Sequence, residues 1–167
     1  MNLKKIAKMT IALMAITVST NTVSSPVKAA NTTNKNFGLW LVTDRIMTTE
    51  QKARLKKNTS STYVNYKTKA SGASATGPNK FRAFVYGGTG STFVDCSSYT
   101  LSGKLRPKAI IRKGTKGYIL QTVYERFKGN SKIYAELRGM SVDNDYDYAE
   151  GCWSPDSVSE SGTITYN

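Results

Sequence analysis

From Phe37 onward the chain is a succession of short runs of β-branched and aromatic residues, each ended within a few positions by Gly, Asn, Ser or Pro. That rhythm restricts the fold more than any other feature, because it leaves no room for long helices. Strands are expected at residues 37–42, 62–66, 81–86, 91–96, 109–112, 118–124, 132–138 and 163–166. Within 132–138, Ile133, Ala135 and Leu137 alternate with Tyr134, Glu136 and Arg138, the pattern of a strand with one buried face. Gly129, Asn130 and Ser131 predict a hairpin turn between the strands on either side. Residues 48–57 (TTEQKARLKK) are the one helix candidate, with Thr48 or Thr49 as N-cap and cations toward the C-terminal end. The expectation is mainly β: an antiparallel β-sandwich or barrel with at most one short helix.

The first 29 residues read differently. Lys4, Lys5 and Lys8 precede an apolar run, Met9 to Val18, that is too short to span a bilayer, and Val27 and Ala29 offer small side chains at −3 and −1. These features predict a secretory signal peptide cleaved after Ala29, a loose arm at residues 30–36, and one domain at 37–167. The last residues, Gly162 to Asn167, carry no hydrophobic tail, so release outside the cell is expected.

Cys96 and Cys152 are the only cysteines, and both lie in the exported part, where oxidation is favoured. An intramolecular disulfide is the expectation; two reduced thiols or an intermolecular bridge are the alternatives.

The absence of histidine narrows the chemistry. Ser-His-Asp and Cys-His nucleophilic sites are excluded, as are His-based acid–base catalysis and His-ligated metals, and two cysteines alone cannot build a four-ligand zinc site. No cofactor is expected, and no enzyme activity. Asp143, Asp145 and Asp147 invite comparison with a calcium loop, but Tyr148 stands where the sharp-turn glycine is needed and Ser154 replaces the bidentate Glu. That segment reads as a solvated acidic loop and only a weak calcium candidate. Gly87 to Gly90 lacks the Gly-Lys-Ser/Thr ending of a phosphate loop and reads as a turn.

Charge is strongly uneven. The whole chain carries 24 Lys and Arg against 11 Asp and Glu, yet no basic residue follows Arg138. Lys104, Arg106, Lys108, Arg112, Lys113 and Lys116 are crowded around the apolar trio Ala109 to Ile111, with no acid among them. Such a cationic edge attracts polyanions in a salt-sensitive manner. For an exported protein these are an anionic cell-wall polymer or membrane surface, not nucleic acid. A plain solvated edge, protected from aggregation by its cations, is the competing reading. The sequence does not specify an oligomeric state.

At the C-terminal end, Trp153-Ser154-Pro155-Asp156-Ser157 follows Cys152, with Pro155 set for a turn and Asp156 able to accept from nearby backbone N–H groups. Together with the leader, the Thr/Lys-rich approach to Tyr66 and the sequence Val123-Tyr124-Glu125, this ending resembles a family of small secreted proteins of unknown function from low-GC Gram-positive bacteria. The organisation is also similar to the lactococcin 972-type β-sandwich bacteriocins, from which the two cysteines and the longer chain depart. These resemblances imply a small secreted β protein, with a bacteriocin-like activity as the alternative to envelope binding. Neither supplies site residues.

Overall fold

A computed structural model describes residues 31–49, 53–67, 77–143, 147–158 and 162–166. The leader and its cleavage point at Ala29 lie outside these residues. The elements in chain order are β1 (Lys35–Leu41), β2 (Met47–Thr48), β3 (Arg54–Leu55), β4 (Thr62–Tyr66), β5 (Lys80–Gly88), β6 (Phe93–Asp95), β7 (Ala109–Arg112), β8 (Lys116–Ile119), α1 (Val123–Phe127), β9 (Tyr134–Ser141), β10 (Asp147–Ser154) and β11 (Ile164–Tyr166).

They form two sheets. The first has the order β1-β10-β4-β8-β11; the second runs β2-β9-β5-β6, with β3 also on β9 and β7 also on β5. All pairings are antiparallel except β11 with β8. The mainly β expectation thus holds.

Period-two alternation places the core between the sheets. Phe37, Leu39 and Leu41 of β1, Val64 and Tyr66 of β4, and Trp153 of β10 enter from one side; Phe81, Val85, Ile111 and Leu137 enter from the other. Gly139 of β9 marks a close approach. A Cβ there would lie 2.5 Å from Leu39 Cδ2 and 3.1 Å from Phe81 Cδ2.

Several local expectations need correction. Where a helix is expected at 48–57, the described residues instead hold the end of β2 and the whole of β3, both paired with β9; residues 50–52 lie outside the described residues. The one helix among the described residues is α1, inside and beyond the run expected as strand 118–124, of which only residues 118–119, the end of β8, are extended. Gly129 does adopt positive φ (103°), but it joins α1 to β9, and β9 pairs with β5, so no hairpin forms there. The acidic stretch is followed by the full strand β10, unpredicted from sequence. Asn31 to Asn36 are no loose arm: Lys35 and Asn36 already pair with β10, and Asn31 is bonded to Asp156.

The expected disulfide is absent, because the two thiols occupy different layers. Cys96 is buried in the core behind β6, whereas Cys152 alternates with the inward Trp153 and so lies on the outer face of the first sheet. Burial pushes both thiols above their ordinary pKa, so neither is poised as a thiolate.

Candidate functional site

The basic stretch is divided by the fold. Arg112 lies on the outer face of the second sheet opposite Lys80, and alternation along β5 adds Arg82 to that face. Two guanidiniums on it lie against aromatic rings, Arg82 over Phe84 at 4.5 Å and Arg138 over Tyr86 at 4.0 Å. Lys113 turns away to donate to the Gly77 carbonyl at 3.1 Å, and Lys116 belongs to the outer face of the other sheet. Lys104, Arg106 and Lys108 precede β7 in the loop after β6.

That loop is built, not slack. Asp95 Oδ1 accepts from the backbone N–H groups of Ser97 and Ser98 and from the Ser97 hydroxyl, at 2.8–3.0 Å, fixing where the chain leaves β6. Arg106 N–H then donates to Ser98 O at 2.8 Å, Tyr99 and Leu105 form an antiparallel bridge, and Thr100 and Lys104 close the tip. Gly103 turns it with φ 81°, a conformation that β-carbon-bearing residues reach only with strain. The resulting small hairpin holds three large apolar side chains in solvent: Tyr99 is 48% exposed, Leu101 61% and Leu105 64%. Nothing in charge or periodicity marked these three from sequence, since only tertiary placement distinguishes an exposed Leu from a core one.

Arg82, Arg106 and Lys108 converge with Ser97 and Ser98 on a depression of about 10 Å³ at the base of the hairpin. Arg106 Nη1 is buried there without a hydrogen-bond partner among the described residues. The space suits one water molecule. These cations therefore present charge to a surface and do not enclose a small ligand. Larger grooves flank Asn130 to Lys132, one of about 660 Å³ walled by Phe93, Tyr134 and Glu136, the other of about 420 Å³ beside Leu55, Lys57 and Tyr124.

No cluster of three potential metal ligands occurs among the described residues. Asp143 instead pairs with Lys80 at 3.3 Å, Asp147 opens β10 and caps the Tyr148 N–H at 2.7 Å, and Asp145 lies outside the described residues. No helix among the described residues is long and apolar enough to cross a membrane.

A second centre is wholly interior. The side chains of Lys56 and Asp156 are both 0% exposed, with Nζ 2.6 Å from Oδ1. Nζ also donates to Ser60 O. Asp156 Oδ2 accepts from two backbone N–H groups, Asn31 at 2.6 Å and Lys57 at 3.1 Å. The Trp-Ser-Pro-Asp-Ser segment thus ties the approach to β1 to the stretch that leaves β3, as Asp156's accepting chemistry suggested. Its ionic partner Lys56 was hidden among the neighbouring cations of the helix candidate.

The family of proteins of unknown function designated DUF2712 matches residues 25–157. The chain belongs to that family. Both Lys56 and Asp156 fall within the match, as does the hairpin. No curated protein and no solved structure matches the chain significantly.

Proposed function

We propose that this is an exported, non-enzymatic protein that docks peripherally on an anionic lipid surface of the cell envelope. One observation carries the reading: the hairpin after β6 projects Tyr99, Leu101 and Leu105 into solvent with Lys104 and Lys108 beside them, continuous with Arg82 and Arg112. Exposed apolar side chains held rigidly and rimmed by cations suit a headgroup boundary, where the apolar groups enter and the cations meet phosphates. A wall polymer would use the cations alone. The leader, expected to be removed after Ala29, supports delivery to the outside.

The test is co-sedimentation of the processed protein with phosphatidylglycerol-containing and purely phosphatidylcholine vesicles, and with isolated cell walls, across a salt series. Binding is expected to the anionic vesicles and to fall with salt, as the screening length shrinks from about 8 Å at physiological ionic strength to about 3 Å at 1 M. Lys104→Gln with Lys108→Gln should weaken it roughly thirtyfold, at about 1 kcal/mol per cation. Leu101→Ser with Leu105→Ser should weaken vesicle binding without affecting any wall binding. Walls bound and vesicles ignored would transfer the reading to wall polymers; neither bound would end it. Clearing of bacterial lawns by the purified protein would instead favour the bacteriocin-like alternative.

A further inference from the structure

The side chains of Lys56 and Asp156 are fully buried, where two formal charges are costly to keep. Around them stand the parts that acyl chemistry needs. The amine nitrogen touches one carboxyl oxygen, Oδ1, at 2.6 Å. The other oxygen, Oδ2, faces two convergent backbone donors, Asn31 N–H and Lys57 N–H. A third group approaches from α1. Gln121 Nε2, just before that helix, donates at 2.7 Å to the same Ser60 carbonyl that receives Lys56 Nζ. Glu125 follows four residues later; its charge acts on Lys56, and its Oε2 is buried without a hydrogen-bond partner among the described residues. A carboxylate oxygen buried without a partner is costly.

We propose that Lys56 and Asp156 condense in the folded chain to an intramolecular amide, with Glu125 carrying the proton. Proton transfer within the pair leaves a neutral amine and a neutral carboxylic acid. Burial holds Lys56 below its ordinary pKa despite the nearby carboxylate. The nitrogen lone pair attacks Asp156 Cγ, the Nζ–Cγ bond forms, and negative charge gathers on Oδ2 between the Asn31 and Lys57 N–H groups. Glu125 accepts a proton from the nitrogen and returns it to Oδ1, the Cγ–Oδ1 bond breaks, and one water leaves. Nothing is oxidised or reduced, no co-reactant is consumed, and two buried charges disappear. The reaction turns over once per chain and needs no other molecule.

The experiment is mass spectrometry of the purified, fully denatured protein, intact and after tryptic digestion, together with Glu125→Gln and Lys56→Arg. Near-ultraviolet circular dichroism verifies the fold of each. The wild type should be one water lighter than its sequence and should release a branched peptide joining the Lys56 and Asp156 segments. Both variants should keep the full mass and give no branched peptide. Glu125 is only partly buried on a short helix, so its Gln variant is expected to fold even if Lys56→Arg does not. A wild type of full mass would overturn the proposal. A one-water loss that survives in Lys56→Arg would place the reaction elsewhere, and one that survives in Glu125→Gln would remove Glu125 from it.

Discussion

Phe81 of β5 meets Tyr66 of β4 edge-on, with ring centroids 5.2 Å apart at an interplanar angle of 83°. Phe37 of β1 approaches the same Phe81 ring at 6.4 Å, so one side chain of the second sheet receives two aromatic rings of the first. Phe81→Ala should then lower unfolding free energy by about 3–5 kcal/mol, the usual loss for a buried Phe. Chemical denaturation of the two proteins measures it. A loss below about 1 kcal/mol would mean that the sheets do not meet through this ring.

Gly139 tests the same contact from the opposite direction. Its backbone has ordinary φ, but an added methyl would press on Leu39, Phe81 and Leu41. Gly139→Ala is expected to cost about 1–3 kcal/mol by overpacking. Trimming Leu39 to Val in the same chain should recover part of that loss, which two unrelated lesions would not do.

The thiols give a third expectation. Cys152→Ser, on an outer face and unbridged, should leave stability within about 0.5 kcal/mol. Alkylation near neutral pH should be slow for both, because burial raises their pKa, and half-buried Cys152 should react well before the core Cys96. Mass spectrometry of partly labelled protein reads the order. Equal rates would contradict the layer assignment.

Lys56 adds a dependence on pH. In Glu125→Gln, where the amine stays uncondensed, burial keeps the folded pKa of Lys56 below the unfolded value near 10.5. Through that window the unfolded chain holds a proton that the folded chain has released, so stability climbs as pH rises toward 10.5 and is lost as pH falls through the lowered folded value. The condensed wild type has no such proton, and its curve should lack that climb. The bond also closes a loop of about 100 residues, worth roughly 4–5 kcal/mol by the chain-entropy argument used for disulfides. Denaturation of the two proteins across pH measures both effects.

The sequence was legible where side chains declare a pleated surface and obscure where small residues do the same work. Thr62–Tyr66 and Ala109–Arg112 appear at their expected bounds because β-branched and aromatic residues fill them. Strand β10 was missed because its inward positions after Asp147 are Ala149, Gly151 and Trp153, two of them too small to register as a buried stripe. Residues 48–57 read as helix on local propensity alone. They contain no apolar face to hold one down, and pairing with β9 prevails. Helix α1, at five residues, is too short for any period to show. At the surface, the crowded cations were visible but their division between two sheets was not. Lys80, Arg82 and Arg138 reach the basic face by strand pairing from outside the crowded segment.

The register of β1 bears on how the molecule is made. Phe37 pairs with Gly151 and Leu41 with Asp147, so β1 finds its sheet neighbour only after all the strands from β2 to β9 have been synthesised. Strand β4 waits for the same late segment on one side, and Asp156 reaches Asn31 and Lys56 later still. A nascent copy halted at Ser141 could assemble much of the second sheet but would leave β1 without its β10 partner. Closure of the first sheet therefore waits on long-range pairing, and a chain lacking β10 exposes the unpaired edges of both β1 and β4.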